Sequence, residues 1–322
     1  MTVGLSQAQQ PDGRLPISQG FFQAFTEIPA QDRVISTHDP FDFSFGSGHI
    51  QGIQLYSQGG VDYVYMTRSD PKVAYMLTAK LDGTTATVLS IDTLMLEPYG
   101  HPGGFQIFGN YLAVGIEDAD KRNTSRVVVY DLEKGDNKSW ADPLHVIKRD
   151  GAYERVTAGC VGLTQVGKYI VMAVGNWHSR ELDFYISPFD KFIKGEDGFR
   201  LIHSMNMAKV SKEGWSDAAW HSYQNINLFA DGADRLYLVG LGGEGAELYQ
   251  LQIVHRASES GQSPIQDAIK IKKLQTKTLS ISGNASFNAG AGISQLPNGE
   301  LILLAAPDDV GGSSTISVFR RE

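Results

Sequence analysis

Two similar heptapeptides, 52 residues apart, constrain the fold of this chain most strongly. Gly48 to Gln54 reads Gly-His-Ile-Gln-Gly-Ile-Gln, and Gly100 to Gln106 reads Gly-His-Pro-Gly-Gly-Phe-Gln. Both lead into segments rich in β-branched and aromatic residues, which are typical of strands. Weaker versions of the pattern begin near Cys160, Gln224 and Gly290. A repeat of this length is typical of an architecture built from similar units that stack against one another.

Each repeat is long enough to hold four strands and their turns. The equivalent positions are separated by 52, 58, 63 and 67 residues, and they are Gly52, Gly104, Gly162, Asn225 and Gly292. Turn residues follow the first strand of each unit, as at Gln58-Gly59-Gly60 and Pro297-Asn298-Gly299. Glycine and asparagine tolerate the positive φ that tight hairpins need. The spacing therefore predicts a meander of short antiparallel strands in every repeat.

The third and fourth strands can be assigned from their mixture of apolar, aromatic and polar residues. Third strands are predicted at Val73–Ala79, Arg126–Leu132, Glu181–Ser187, Glu247–Val254 and Thr315–Phe319. Fourth strands are predicted at Ala86–Leu94, Leu144–Lys148, Phe199–Met205 and Ala268–Leu279. The fifth repeat has no fourth strand before Glu322, and the β-rich segment Gly20–Ile28 is predicted to supply it. Joining the two ends of the chain in one sheet would remove an exposed edge.

The predicted fold is all-β: a five-bladed β-propeller with four-stranded blades, in which the N-terminal strand closes the last blade. Residues 1–19 are expected to be an N-terminal extension and residues 20–322 a single propeller domain. A two-sheet sandwich is the alternative, but it does not explain five similar units. The chain thus resembles β-propellers as an architecture. Five-bladed propellers include glycoside hydrolases and lectins, so the resemblance implies either class by analogy.

Composition and charge limit the cellular compartments and the binding partners that are expected for this protein. The net charge of −8 and the pI of about 5.5 argue against nucleic acid, because phosphate binding needs clustered Lys and Arg. No apolar run long enough for a membrane span occurs. The single cysteine, Cys160, and the absence of a signal-peptide pattern in Met1 to Arg14 favour the cytoplasm. A secreted chain that has lost its leader is the alternative.

Aromatic and imidazole side chains concentrate on one predicted face of the propeller. This face carries the loops that lead into the inner strands and the loops between second and third strands, and it is the default ligand site. Large aromatic rings in such a cleft suit sugars and flat organic ligands, although they could equally pack the loops together. The predicted substrate-binding residues of these loops are Trp177, Trp215, Trp220, Tyr99, Tyr223, His178, Asn288 and Arg155.

His49, His101 and His221 precede the inner strands of three repeats at nearly the same place. Because such positions converge on the propeller axis, the three imidazoles could share a divalent metal or supply an acid and a base. In the structural alternative, each histidine only bonds to neighbouring backbone. Apart from that possible metal, the cofactor is unknown. No nucleotide cofactor is expected, because the glycine-rich segment Gly240–Gly245 does not lead into a helix, as a dinucleotide-binding motif would.

Carboxylates and amides complete the candidate site. Glu117 and Asp217 lie on different repeats and could assist proton transfer, as a pair of carboxyls does in glycosidases. The inner strands carry Gln54, Gln106 and Asn227 at matched positions instead of acids, and this departure weakens the glycosidase interpretation. The amides could bind a ligand or only the solvent of the channel.

Two classes of function follow from these residues. The first is a small-molecule-processing enzyme of the hydrolase, lyase or isomerase type, with one site in the central funnel and a small or sugar-like ligand. The second is a non-catalytic lectin-like or protein-interaction propeller. The loops differ between repeats, since the fourth repeat has a Trp-rich insert and the second an acidic loop. This asymmetry favours one central site over five equivalent ones, and therefore the enzyme.

Overall fold

A computed structural model describes residues 20–134, 140–256 and 266–321, and the predicted N-terminal extension 1–19 lies outside these described residues. The N-terminal elements are α1 (Phe21–Thr26) and β1 (Arg33–His38). The first set of strands is β2 (Ile50–Gln58), β3 (Val61–Arg68), β4 (Val73–Asp82) and β5 (Thr85–Leu96). The second set is β6 (His101–Phe108), β7 (Tyr111–Glu117), β8 (Thr124–Asp131) and β9 (His145–Asp150).

Three further sets of strands follow. The third is β10 (Cys160–Val166), β11 (Tyr169–Gly175), β12 (Glu181–Pro188) and β13 (Arg200–Asn206), with a 3₁₀ turn at Trp177–Ser179 and α2 at Phe189–Phe192. The fourth is β14 (Asn225–Ala230), β15 (Leu236–Gly242), β16 (Gly245–Arg256) and β17 (Gln266–Thr278). The fifth begins with β18 (Ser286–Gln295), β19 (Leu301–Ala306) and β20 (Thr315–Phe319). The predicted third and fourth strands therefore match observed strands closely.

Consecutive strands within each set pair antiparallel, and β1 completes the fifth set by pairing antiparallel with β20. Across the sets, hydrogen bonds join the strands into a closed sheet of eight (β1-β20-β19-β18-β2-β3-β4-β5), an open sheet of eight and a sheet of four. The first strands β2, β6, β10, β14 and β18 contact one another at the centre. The architecture is all-β and propeller-like. No helix in the described part of the chain is long and apolar enough to span a membrane.

The predicted N-terminal strand Gly20–Ile28 is wrong, because its central part forms α1. Phe21 and Phe25 are spaced one helical turn apart and are both fully buried, whereas Phe22 between them is 44% exposed. A spacing of four residues places two side chains on one face of a helix but on the same face of a strand as well, so the apolar content alone did not distinguish the two. The strand that completes the fifth set is β1, which pairs with β20.

Aromatic side chains fill several of the grooves between neighbouring sets. Trp140 packs on Tyr65 and Tyr130 between the first and second sets. Phe192 of α2 packs between the second and third sets, and Phe21 and Phe25 of α1 pack between the fourth and fifth. The first and fifth sets are instead joined directly, by parallel pairing of β1 with β5. These contacts bury the sides of the sheets.

Candidate functional site

The candidate site lies where loops of the second, third and fourth sets meet on one face. Glu117 ends β7, the 3₁₀ turn follows β11, and residues 217–223 lead into β14. A series of contacts joins them: the His101 ring lies 5.4 Å from Trp177, and His178 Nδ1 lies 2.7 Å from Ser222 Oγ. Because Trp177 also contacts His178, the predicted residues His101, Trp177 and His178 adjoin the segment that carries His221.

His101 and Glu117 form the first acid–base pair of the site. His101 Nδ1 lies 3.1 Å from Glu117 Oε1, an ion-pair distance, but the two groups are not aligned as a hydrogen bond, and neither atom has another hydrogen-bond partner among the described residues. The Glu117 side chain is fully buried, and its Oε2 accepts a hydrogen bond from the Ala158 backbone N–H at 2.8 Å. The His101 side chain is 22% exposed and can therefore reach a ligand.

A second group surrounds Trp177. The Arg122 guanidinium stacks 3.7 Å from the centre of the Trp177 ring, a cation–π contact. Arg122 and Arg180 both bind Glu154, at 2.8 and 2.7 Å. The hydrogen bond from Arg122, followed by the charge of Arg180, lowers the pKa of Glu154. Partial desolvation and the charge of Arg180 lower the pKa of the exposed His178, which favours its neutral imidazole at physiological pH.

The backbone of this group is strained. Arg122, Glu154, His178 and Ser179 have φ values of 49°, 56°, 59° and 52°, in the left-handed region that non-glycine residues rarely adopt. Among the described residues only Asp42 and Asp234 also do so without being glycine. Such conformations cost about 1–3 kcal/mol each and cluster at functional sites. The backbone N–H of Glu154 donates to the Arg122 carbonyl at 2.7 Å, which helps to hold two of these residues in place.

The second acid–base pair is His221 with Glu247. His221 Nδ1 lies 2.7 Å from Glu247 Oε1, and the His221 side chain is 58% exposed while Glu247 is buried. The other imidazole nitrogen, Nε2, has no partner among the described residues. A buried carboxylate that fixes one nitrogen of an exposed imidazole leaves the other free for proton transfer. This arrangement is the orienting contact found in acid–base sites.

A hydrogen-bond network holds Glu247 in its charged form. Lys273 Nζ lies 2.6 Å from Glu247 Oε1, and the hydroxyls of Tyr223 and Tyr249 both donate to Oε2. Burial alone would raise the pKa of Glu247, but these hydrogen bonds outweigh burial and lower it. Lys273 also binds Asp217 Oδ1 at 2.7 Å, and this hydrogen bond lowers the pKa of Asp217 to about 2. The negative charge on Glu247 is thus maintained behind His221.

Glu247 and Lys273 were missed by the sequence analysis. Glu247 was assigned only to a third strand, and Lys273 lies in a run of alternating isoleucines and lysines. A register shift between Leu248 and Tyr249 leaves Leu274 without a partner in the pairing of β16 with β17. Lys273 nevertheless continues the inward alternation of Ile269 and Ile271, and that alternation was the available signal for a buried lysine.

The structure does not bring Asp217 and Glu117 together as a pair of carboxyls. Asp217 binds Lys273 and Thr276, whereas Glu117 binds Ala158 and faces His101. The predicted convergence of the three histidines is not observed either. His49 Nδ1 lies 2.7 Å from the Ile50 carbonyl oxygen, and its Nε2 lies 3.2 Å from Gln51 Nε2. Across residues 20–134, 140–256 and 266–321, no group of three His, Cys, Asp or Glu residues is arranged to hold a metal ion.

The predicted amides of the inner strands bind the protein rather than face an open channel. Gln106 Oε1 accepts hydrogen bonds from the backbone N–H groups of Leu163 and Leu228, and its Nε2 donates to the Leu228 carbonyl. Gln54 and Asn227 are fully buried and both donate to the Phe105 carbonyl. Their hydrogen bonds cross-link strands of different sets. These residues therefore hold the centre together, and the hydrogen bonds described here are all made within the protein.

Close packing explains why the centre is filled. A Cβ atom at Gly104 would lie 2.3 Å from the Gln224 carbonyl oxygen, and one at Gly292 would lie 1.7 Å from the Ile53 carbonyl oxygen. Only glycine permits the inner strands to approach so closely. The matched glycines of the repeats are thus packing residues at the axis.

Several predicted aromatic residues pack the loops instead of lining an open cleft. Trp215 and Trp220 donate through Nε1 to the carbonyls of Ile271 and Ser179, and both pack on Tyr249. Tyr223 is buried against Glu247. These three residues were predicted to bind substrate, and in the structure they surround the Glu247 network.

The remaining predicted residues have local partners. Tyr99 Oη lies 3.2 Å from Thr124 Oγ1, and Asn288 accepts through Oδ1 from the Gly243 N–H at 2.9 Å. Arg155 forms a bidentate ion pair with the buried Asp183. None of these contacts involves His101, His178 or His221.

Comparisons with known proteins give only distant similarities of overall shape. No family model and no curated protein matches the chain. The chain is similar to an exo-β-1,3-galactanase from Phanerochaete chrysosporium in complex with β-1,3-galactotriose, with 9% identity, a TM-score of 0.46, and coverage of 90% of this chain and 64% of that one. It is similar to the Penicillium chrysogenum α-L-arabinanase complexed with arabinobiose, with 9% identity, a TM-score of 0.45, and coverage of 90% and 98%. It is also similar to the GH43_1 enzyme from Xanthomonas citri complexed with xylose, with 11% identity, a TM-score of 0.46, and coverage of 93% and 92%.

Proposed function

We propose that this chain is a small-molecule-processing enzyme of the hydrolase, lyase or isomerase type, with one acid–base site on one face of a five-bladed propeller. The blade count rests on the five sets of four paired strands, with β1 as the fourth strand of the fifth set. Residues 20–322 form the single domain in this proposal. The site combines His101 of the second blade, Trp177 and His178 of the third, and His221 of the fourth.

The observation that carries the proposal is the pair of His221 and Glu247. A partly exposed imidazole with Nδ1 at 2.7 Å from a buried carboxylate is oriented for proton transfer at Nε2. Lys273, Tyr223 and Tyr249 hold that carboxylate ionised, so it supports the imidazolium that forms when His221 accepts a proton. His221 is the proposed general base, acting on a water molecule or on a C–H or O–H group of the substrate.

His101 is the proposed general acid. Its Nδ1 lies 3.1 Å from Oε1 of the fully buried Glu117, and this contact orients the imidazole. The two histidines would then transfer protons on opposite sides of one substrate, as a hydrolysis or an elimination requires. Trp177 is half-buried between Arg122 and His101, and it would contact a sugar-like ligand through the part of its ring that stays exposed.

The differences between the blades favour an enzyme over a lectin-like scaffold. The residues of this site are unlike one another, and blades two, three and four each contribute a different part. His49 occupies the matching position of the first blade, but its Nδ1 faces its own Ile50 carbonyl and its Nε2 faces Gln51. A multivalent binding protein would repeat one set of ligand contacts in each blade instead.

Histidine-resolved NMR tests whether a ligand occupies this site. The ring signals of wild-type protein are recorded while small glycosides, sugar lactones and sugar acids are added. We expect shifts in His101, His178 and His221, with His38 and His145 unchanged as internal controls. Because His145 Nε2 lies 2.8 Å from the Phe192 carbonyl oxygen, it reports any general change in structure. Shifts confined to histidines outside the site, or the absence of any shift across the panel, would overturn the proposal.

A further inference from the structure

A large groove lies between the third and fourth sets, away from the histidines of the proposed site. It encloses a cavity of about 1080 Å³, comparable to the largest small-molecule sites. Aliphatic side chains form much of its lining, and they include Val171, Ile186, Leu236, Leu251, Ile269 and Ile271. Several of these side chains are buried in the core cluster that joins the two sets. The groove is therefore an extension of the hydrophobic core that reaches the surface.

Neighbouring grooves of the same kind are filled by the chain itself. Trp140, Phe192 and the pair Phe21 and Phe25 occupy three of the other grooves, as described above. In the groove between the third and fourth sets, Trp215 packs against Tyr249 at the end next to Glu247 and does not line the cavity. Among the described residues, Tyr169 and the imidazole of His203 are the only aromatic rings in the lining of the cavity.

The wall segments beside this groove are rich in lysine, although the whole protein carries a net charge of −8 and the lining also includes Glu213, Asp234 and Arg235. The wall segments 209–213 and 269–272 contain four lysines and one glutamate, namely Lys209, Lys212, Lys270, Lys272 and Glu213. Lys270 and Lys272 line the cavity, and neither forms an ion pair with a described residue. A Cβ atom at Gly214 would lie 3.9 Å from Lys272 Nζ, so this ammonium group lies beside the facing wall.

We propose that this groove binds a long-chain aliphatic carboxylate. The acyl chain would lie against the aliphatic walls, because burying its methylene groups there removes apolar surface from water and so lowers the free energy of binding. The carboxylate would lie at the rim between Lys270 and Lys272, whose charges complement it. An aliphatic chain fits a lining with one tyrosine better than a flat aromatic ligand does. The site is separate from the histidine face and stands independently of the proposed enzymatic function.

A chain-length series tests the hydrophobic part of this proposal. Binding of saturated fatty acids from octanoate to hexadecanoate to the full chain is measured by calorimetry, together with the alkanols of equal length. The Kd is expected to fall about fourfold or less for each added methylene until the groove is filled. Alkanols are expected to bind at least tenfold more weakly than the matching carboxylates. Failure of every carboxylate to bind, or equal binding of alkanols, would overturn the proposal.

Three variants locate the binding. Ile186→Trp fills the groove from a half-buried wall position and is expected to weaken hexadecanoate binding at least tenfold. Leu201→Trp introduces the same ring at an exposed position of the neighbouring strand and is the matched control. The double variant Lys270→Glu with Lys272→Glu leaves the aliphatic walls intact. It is expected to weaken the binding of carboxylates but not the binding of alkanols. If Ile186→Trp does not fold, the double variant decides alone. Equal affinity in the wild type and the double variant contradicts the site.

Discussion

The Lys273 ammonium group lies 2.6 Å from Glu247 Oε1, and both side chains are buried beneath the exposed imidazole of His221. Lys273 is 1% exposed, so it depends on Glu247, Asp217 and the Ala219 carbonyl for the interactions that water would otherwise give. A buried charge without a partner is costly, and this pair is consequently a structural requirement of the site.

The first prediction concerns the stability of that pair. Lys273→Met is expected to lower the free energy of unfolding by about 3–5 kcal/mol, because it leaves the Glu247 carboxylate buried without its main counter-charge. The double variant Lys273→Met with Glu247→Gln is expected to lose less than the sum of the two single losses. Urea unfolding measures both. Arg320→Met is the control: it breaks an exposed ion pair with Glu300, where a change below about 1 kcal/mol is expected. Additive losses in the double variant would show that the two buried groups do not depend on each other.

The second prediction concerns acid. The pKa of Asp217 is lowered from 3.8 to about 2, and that of Glu247 is also lowered. A carboxyl group whose pKa is lower in the folded state adds stability above its unfolded pKa, and this stability is lost as the pH falls through the folded pKa. We expect Asp217→Asn to flatten the fall in urea midpoint between about pH 4 and pH 2. Glu213→Gln, an exposed acid outside the network, is the control. Parallel curves for wild type and Asp217→Asn would contradict the assignment.

The third prediction concerns the centre of the molecule. Gln106→Leu leaves the backbone N–H groups of Leu163 and Leu228 without their side-chain acceptor, and each such loss costs about 1–3 kcal/mol. We expect a clear drop in the free energy of unfolding. Thr164→Val, at the matched position of the next inner strand, keeps the shape of the side chain and is expected to change stability by less. If Gln106→Leu kept full stability and abolished ligand binding, the amides would belong to a ligand site after all.

The fourth prediction concerns α1. Phe25→Ala removes a fully buried ring from the groove between the fourth and fifth sets and is expected to cost about 3–5 kcal/mol. Phe22→Ala, three residues earlier and 44% exposed, is the matched control and is expected to change stability by less than about 0.5 kcal/mol. Chemical unfolding compares the two. Equal effects of both changes would mean that α1 does not pack as described.

Much of the fold could be predicted from local patterns, because a turn glycine or the alternation of apolar and polar residues in a strand is visible within a few residues of sequence. The third strand of the fifth set was predicted at Thr315–Phe319, and it is observed there. The prediction of a strand at the N-terminal segment was wrong because Phe21 and Phe25 pack in a groove between two sheets that are distant in the sequence. The residues near them in the sequence carry no information about that groove. β1 was missed for the same reason, since its six residues are a strand only through pairing with β20 and β5.

The site was predictable as a region but not as a set of contacts. His101, Trp177, His178 and His221 were assigned to one face from the repeat alone, and contacts between neighbouring loops do link them. Their partners depend on distances between sets, and no sequence pattern pairs His221 with Glu247, 26 residues away. The inner-strand amides were predicted to bind a ligand, but the sequence does not distinguish this from a structural role. A polar residue at the axis can form hydrogen bonds with buried backbone groups as readily as with a ligand.

Steady-state kinetics of His221→Ala tests the central claim most directly. With a substrate found among the glycosides, lactones and sugar acids that shift the site histidines, kcat/KM is compared between wild type, His221→Ala, His101→Ala and the exposed control His38→Ala. Loss of a general base or acid is expected to lower kcat/KM by about 10²–10⁴-fold, while His38→Ala stays at the wild-type value and the melting temperatures change little. Undiminished kcat/KM in both His221→Ala and His101→Ala, or a wild-type protein that turns over none of the panel, would contradict the account.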